Sequence, residues 1–249
     1  MVRRSFLDAL GEHFVGLENY QQVWNNVAFR QAAWNTGRFL LICVPLLLLL
    51  SLLGALLIQR LCRGKDFFKS TFLFPMAIPV ASLTLLWRLF FDQYGFLNKF
   101  LEKLAVPRQN WLNSPITFGV LVFTYIWKNF GYDMILWLAG LAEIPRELYE
   151  AASVDGAGRL QQFWYVTLPG IRGSVFVITI LSMVNCFKVY REAYLLGGNY
   201  PHESIYLLQH IFNNWFLNLD IQKMAAGSVL LALVMFGVML LIWHKNREA

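Results

Sequence analysis

Five stretches of apolar residues set the pattern of the chain. Phe39 to Ile58 runs 20 residues without a charged group, closed by Arg38 and Arg60. Ser70 to Trp87 gives 18 more between Lys69 and Arg88, and the apolar character continues to Phe91. A third stretch covers 116–140 and is interrupted by Lys128 and Asp133. The fourth follows Arg172 and reaches 196, with Lys188, Arg191 and Glu192 in its second half. Met224 to Trp243 is the fifth, again 20 residues without Asp, Glu, Lys or Arg. A helix needs roughly 20 mostly apolar residues to cross a hydrocarbon layer about 30 Å thick. The pattern therefore predicts an all-α fold, a polytopic membrane bundle of about five transmembrane helices. Its spans are placed at 39–58, 70–91, 116–140, 173–196 and 224–243.

Residues 1–36 are too polar to supply the apolar core of a signal peptide. Phe6, Leu7, Leu10 and Phe14 recur at helical spacing, as do Leu17, Tyr20, Val23, Trp24 and Val27. This aromatic-rich pattern suits a helix lying on the membrane surface, or a short segment packed against neighbouring loops. The segment 1–36 is thus read as an external or interfacial piece, and 37–249 as the transmembrane domain.

Composition agrees with this division. Hydrophobic residues make up 57% and charged residues 14% of the 249, with a mean hydropathy of +0.49. Soluble domains carry about 25% charged residues, so this chain has too few to cover a soluble surface. The net charge of +6 would otherwise suggest nucleic acid, but membrane proteins collect Lys and Arg in cytoplasmic loops, and no nucleic-acid partner is expected. The loop QRLCRGKDFFK holds Arg60, Arg63, Lys65 and Lys69 against Asp66 alone, which places it in the cytoplasm. Alternation then puts 92–115 outside, 141–171 inside, 197–223 outside and the tail with Lys245 and Arg247 inside. Arg3 and Arg4 run against the rule, because five spans leave the N-terminus outside.

The cytoplasmic connection PRELYEAASVDGAGRLQQFWYVTLPGIRG at 145–173 is the most specific feature. Pro145 suits the first position of a helix, where its missing N–H costs nothing. Glu147 and Glu150 fall in the first turns, where carboxylates are favoured. Leu148, Ala151 and Ala152 form a small apolar stripe, and Asp155-Gly156 is a turn signal that ends the helix. A second short helix is expected from about Arg159 to Val166, ending at Leu168-Pro169 because proline cannot continue it. A short helix with a small-residue face can dock into a groove on another protein; an amphipathic loop resting on the bilayer shows the same periodicity.

Glu150-Ala151-Ala152, then Gly156, then Val166-Thr167-Leu168-Pro169 resemble the EAA-type motif E-A-A-x3-G-x9-I-x-L-P, with Val166 in place of Ile. That motif belongs to the permease subunits of binding-protein-dependent ABC importers. The segments FVGLENY (14–20), WNTGRF (34–39), FLFPMAIPVASLTLLWRLFF (72–91), YGFLNKFL (94–101), WLNSP (111–115) and IWKNFGYDMILWLAGLAEIPRELYEAA (126–152) are similar to the sugar-type branch, the maltose and glycerol-phosphate permeases. The likeness covers nearly the whole chain in order. Members of this branch usually begin with an additional span before FVGLENY, which would return the N-terminus to the cytoplasm. A further departure is Gly197-Gly198-Asn199-Tyr200-Pro201, where many relatives carry a GGGP-like stretch.

The resemblance implies a function. Two permease subunits form the membrane pathway for a sugar or related carbohydrate, and each EAA loop supplies a coupling helix to a groove of a cytoplasmic ABC ATPase dimer. By this similarity Glu150, Ala151, Ala152, Asp155, Gly156, Ala157, Leu168 and Pro169 carry the ATPase coupling. ATP and Mg are expected in the partner ATPase, with no cofactor in this chain. A periplasmic or extracellular solute-binding protein would deliver the solute to 92–115 and 197–223. The implied location is the bacterial plasma or inner membrane, among membrane lipid.

Charged groups inside spans cost roughly 2.5–3.5 kcal/mol on insertion scales and usually face a cavity or a partner. Lys128, Asn129, Tyr132 and Asp133 lie near the middle of the third span, with Asn129 and Asp133 four apart on one face. In the fourth, Asn185, Lys188 and Glu192 line up at i, i+3 and i+7. Together with the rings of Trp127, Tyr132, Phe187 and Tyr190 they suit a polar solute pathway; helix–helix contacts and snorkelling account for the same pattern. Pro75 and Pro79 are expected to bend the second span.

The remaining chemistry is negative. His13, His202, His210 and His244 have no ligand spacing, and Cys43, Cys62 and Cys186 lie far apart, so no metal site is expected. No P-loop is present, and no nucleophile, base and acid share a loop, so no catalytic residue is assigned. A stand-alone secondary transporter is the alternative; it would require internal inverted repeats, which the two halves of the chain lack.

Overall fold

A computed structural model describes residues 1–8, 11–61 and 64–248, with side chains through His244. Leu10, Cys62 and Arg63 lie outside the described residues, as do the side chains of Lys245 and Arg247. Among the described residues the chain is helical, with no strand and a single bridge between Leu7 and Phe14. The helices in order are α1 (Glu18–Asn25), α2 (Val27–Arg60), α3 (Lys65–Ala77), α4 (Val80–Phe91), α5 (Phe96–Lys103), α6 (Thr117–Ala142), α7 (Arg146–Val154), α8 (Arg159–Gln162), α9 (Leu168–Gly170), α10 (Arg172–Cys186), α11 (Tyr190–Gly197), α12 (Leu208–Leu217) and α13 (Ile221–Glu248).

Among the described residues, three helical stretches are long and apolar enough to cross a membrane: Val27–Arg60, Arg172–Gly197 and Ile221–His244. Lys65–Ala77 with Val80–Lys103 makes a fourth if taken as one broken span. The stretch expected at 116–140 is the unbroken helix α6 of 26 residues. It is long enough to span, but Lys128, Asn129 and Asp133 keep it from qualifying on apolar composition. The expected count of five is thus three apolar helices, a broken pair, and one helix with a polar middle.

Two boundaries differ from the reading of the sequence. The first span begins at Val27, 34 residues long, because Val27, Phe29, Ala32 and Ala33 continue its apolar face on the N-terminal side. The second span is bent at its prolines as expected, but by so much, 91°, that it breaks into two helices. Pro79 opens α4 with φ −55° and ψ 134°, and the residue before a proline is driven out of the helical region; Ile78 accordingly sits at φ −73°, ψ 129°. Pro75, by contrast, stays inside α3.

The chain divides into two compact units. Unit 1 comprises Met1–Ile42, Pro79–Thr124 and Phe187–Met239. Its core gathers Val23, Phe29 and Ala32 with Leu208, Ile211, Trp215 and Ala226, and the Phe29 and Trp215 rings stack at 6.0 Å. Polar side chains close the unit's loops. Asn35 Nδ2 donates to the carbonyls of Glu203 and Tyr206 at 2.6 and 3.0 Å, and Thr36 Oγ1 accepts from the Leu208 N–H at 3.0 Å. Asn98 holds the connection after α5, donating to the Gln109 carbonyl at 2.8 Å and accepting from the Trp111 indole at 2.9 Å.

Unit 2 comprises Cys43–Ile78, Tyr125–Cys186 and Leu240–Ala249. Its core joins α2, α6 and α10 through Ala55, Ile58, Met134, Trp137, Leu141, Ile144, Ile171 and Ile178. Small residues permit close approach of α6 to both α3 and α10, as is usual where helices meet in lipid. A Cβ on Gly131 would lie 1.9 Å from the Phe72 carbonyl oxygen, and one on Gly140 would lie 2.2 Å from Ser174 Oγ. The Trp137 indole donates to Ser51 Oγ at 3.0 Å, and Ser51 in turn donates to the Leu47 carbonyl.

Candidate functional site: the loop between α6 and α10

The loop expected to couple this chain to a partner folds as a self-contained piece of unit 2. Pro145 stands one residue earlier than expected, as the N-cap of α7 with φ −59° and ψ 136°. Glu147 occupies the first turn, where the helix dipole favours a carboxylate. The helix ends as Asp155-Gly156 predicts. Gly156 takes φ +78°, its N–H donates to the Ser153 carbonyl at 3.1 Å, and the Ala157 N–H donates to the Ala152 carbonyl at 2.8 Å. That pair of bonds is the Schellman closure of a helix C-terminus, whose left-handed residue is usually glycine.

The second helix does not stop at Leu168-Pro169. From Arg159 the chain runs through α8, a π-helical turn at Phe163–Thr167, and α9, then after a one-residue turn at Ile171 into the membrane helix α10. Pro169 lacks an N–H and its ring would press on the carbonyl four residues back. The π turn takes up this demand: the Leu168 N–H reaches the Phe163 carbonyl, and Pro169 then enters as an early residue of α9, where no N–H is needed. The loop is consequently joined to α10 by almost continuous helix.

Side chains tie α7 to that helix. Tyr149 Oη and Thr167 Oγ1 share a hydrogen bond of 3.0 Å, and Gln162 Nε2 donates to Ser153 Oγ at 2.9 Å and to the Ala157 carbonyl at 3.2 Å. The corner after α7 is held by the Gly158 N–H donating to Gln161 Oε1 at 2.8 Å. Tyr149, Gln162 and Thr167 were not singled out in the sequence, where nothing marks a polar residue as a bridge. Of the residues that were, Glu150, Ala151, Asp155, Gly156 and Pro169 are exposed, while Ala152, Ala157 and Leu168 are half-buried. Leu148 and Val154 are exposed as well, Val154 to 87%. A loop so firmly held from within leaves an apolar, small-residue face turned outward.

The polar residues of the spans divide between the units. Lys128, Asn129, Tyr132, Asp133 and Asn185 belong to unit 2, and Lys188 and Glu192 to unit 1. Asn129 is half-buried and its Nδ2 donates to the Tyr125 carbonyl one turn back at 2.8 Å. Asp133 is 1% exposed and accepts from Ser182 Oγ at 2.5 Å, so its carboxylate serves a contact between α6 and α10. Lys128, Tyr132 and Asn185 are half-buried, Lys188 is exposed and Glu192 is 4% exposed. The regular register expected for Asn185, Lys188 and Glu192 is broken by a 3-10 turn at Phe187–Val189. No group of three or more His, Cys, Asp or Glu among the described residues is arranged to hold a metal.

Residues 39–244 match the family described as the binding-protein-dependent transport system inner membrane component. The chain is 34% identical over 237 residues to the sulfoquinovosyl glycerol transport system permease protein SmoG of Agrobacterium fabrum, covering 94% of this chain and 76% of that protein. It is also 34% identical over 190 residues to the trehalose/maltose transport system permease protein MalF of Thermococcus litoralis, covering 76% of this chain and 64% of that one. In fold it is similar to a chain of a bacterial ABC transporter involved in the import of the acidic polysaccharide alginate, with a TM-score of 0.87 at 22% identity over 99% of this chain and 87% of that one. The chain therefore belongs to the inner-membrane-component family of binding-protein-dependent transport systems, and is a multi-pass membrane permease subunit.

Proposed function

We propose that this chain is one of two permease subunits of an ATP-driven importer that carries a sugar or related carbohydrate across a bacterial plasma membrane. The observation that carries the reading is the outward face of α7, closed by the Schellman corner at Gly156 and joined through the π turn to α10. Glu150, Ala151, Ala152, Asp155, Gly156 and Ala157 meet the groove of a cytoplasmic ATPase subunit, which binds ATP and Mg. Leu168 and Pro169 pass its movement into α10. A rigid body is needed for such a transfer, and the Tyr149–Thr167 and Gln162–Ser153 bonds provide it. The stand-alone secondary transporter has no use for an exposed docking helix of this kind.

A solute-binding protein delivers the solute to the segments 92–115 and 197–223. A chain of a bacterial alginate ABC transporter in complex with an alginate pentasaccharide-bound periplasmic protein is similar to this one in fold, with a TM-score of 0.83 at 22% identity over 94% of this chain and 83% of that one. Lys128, Asn129, Tyr132, Asn185 and Lys188, which are half-buried or exposed, are the better candidates for the solute path; Asp133 and Glu192 are enclosed.

Isolation of the tagged chain from its native membrane in mild detergent tests this. Recovery of an ATP-binding subunit and a second permease is the expected result, with ATPase activity stimulated by the binding protein loaded with a candidate sugar. Recovery of the intact, folded chain alone would overturn the reading.

A further inference from the structure

A cavity of about 750 Å3 opens in unit 2 between the end of α2 and the loop helices, within the roughly 300–1,000 Å3 of ligand sites. Its lining is mixed in chemistry. Leu53 and Leu56 of α2 contribute apolar lining, and Arg60 and Arg159 contribute two cationic side chains. Among the described residues no carboxylate lines the cavity, and neither arginine has an ion pair with a described carboxylate. Leu160 and Phe163 add to the apolar lining, and the exposed rings of Trp164 and Tyr165 stand on the neighbouring turn, as aromatic residues do at a membrane interface.

We propose that this cleft binds an anionic phospholipid of the cytoplasmic leaflet, with its phosphate between Arg60 and Arg159 and an acyl chain along Leu53 and Leu56. Charge complementarity selects this occupant. Arginine meets phosphate through paired N–H donors, and basic pockets on the cytoplasmic side of membrane helices suit anionic head groups. The apolar lining continues outward along the exposed side chains of Leu49 and Leu57, on the same face of α2 as Leu53, so the chain of a lipid has a surface to follow. Tyr149 and Thr167, which share the bond between α7 and the π turn, also line the cleft. A bound lipid therefore touches both parts of the loop and ties its position to the leaflet. The inference rests on the cytoplasmic placement of that loop.

The assembled transporter is reconstituted in nanodiscs of equal phosphatidylglycerol and phosphatidylcholine, extracted in mild detergent, and its retained lipid counted by native mass spectrometry. Phosphatidylglycerol is expected to be enriched about fivefold or more. The double variant Arg60→Gln/Arg159→Gln is expected to bring the ratio to parity, and Arg60→Lys/Arg159→Lys to keep most of the enrichment. If the double glutamine variant does not assemble, Arg159→Gln alone carries the test, with a partial loss. Equal retention of both lipids, or enrichment unchanged by the glutamine variants, would overturn the proposal. So would a photo-crosslink from position 160 that captures a companion permease instead of lipid. Labelling of a Ser153→Cys variant from each side of the membrane checks the loop's placement separately.

Discussion

Ser182 on α10 donates its hydroxyl to the Asp133 carboxylate of α6 at 2.5 Å, with both residues 1% exposed. A carboxylate at this depth is costly without a partner, and a bond to a charged group is stronger than a neutral one. The pair therefore acts as a buried polar clamp between two membrane helices. Ser182→Ala removes the donor and leaves the carboxylate to its remaining surroundings. Thermal unfolding of the detergent-solubilised chain should register a loss of about 1–3 kcal/mol. Asp133→Asn keeps an acceptor for Ser182 and should cost less. A Ser182→Ala protein as stable as the parent would show that Asp133 is held by something else.

Backbone proximity gives a second prediction. A Cβ on Gly131 would lie 1.9 Å from the Phe72 carbonyl oxygen and 2.3 Å from its carbon, whereas the atoms nearest one on Gly54 belong to side chains, the ring edge of Phe130 at 2.6 Å and Met134 Sδ at 3.4 Å. A ring can turn aside; a helix backbone must move as a whole. Gly131→Ala should therefore destabilise unit 2 by about 1–3 kcal/mol or more, and Gly54→Ala by less. Fluorescence-detected size-exclusion of the two variants would rank them, and equal behaviour would refute the argument.

How far the sequence foretold these features depends on their range. Arg60 at the end of α2 and Arg172 at the start of α10 fall at helix boundaries, and such edges are local; Arg38, inside α2, marks none. The corner at Asp155-Gly156 was legible for the same reason: the positive φ of Gly156 is a property of one residue. The course of the chain through Pro169 was not. A proline ends an ordinary helix, but the five residues before it can open into a π turn, and no residue type announces that choice. The fate of Asp133 was equally hidden. Its place in the span shows that it must be satisfied, but the partner, Ser182, stands 49 positions away on a face that only packing selects.

Gly156 separates docking from folding. No atom lies within 4 Å of a Cβ added there, so a side chain meets nothing within this chain. The obstacle is the backbone: φ +78° costs an ordinary L residue about 1–2 kcal/mol, and a β-branched residue suffers most. Gly156→Val should unwind the corner or obstruct the ATPase groove, giving membrane insertion at parental levels with little ATPase recovered and little uptake. Asn tolerates the left-handed region, so Gly156→Asn should retain a larger share of both. Full uptake by the Val variant would argue against α7 as the docking helix.

His210 on α12 gives the fold an acid limit. The side chain is fully buried; its Nδ1 accepts from the Leu207 N–H at 3.1 Å, and its ring meets those of Tyr190 at 4.9 Å and Tyr206 at 5.5 Å between centroids. Burial disfavours the charged imidazolium and lowers its pKa from 6.5 to about 4. The unfolded chain then takes up a proton at a pH where the folded chain does not. Stability is complete above about pH 6.5 and falls between 6.5 and 4, by at most about 1.4 kcal/mol per pH unit from this group. His210→Gln retains an acceptor but has no proton to gain. It should be less stable at neutral pH and show a shallower loss across that window, read from the difference between the two proteins' detergent melting curves. Identical slopes for the parent and His210→Gln would exclude His210 as the source of the acid sensitivity.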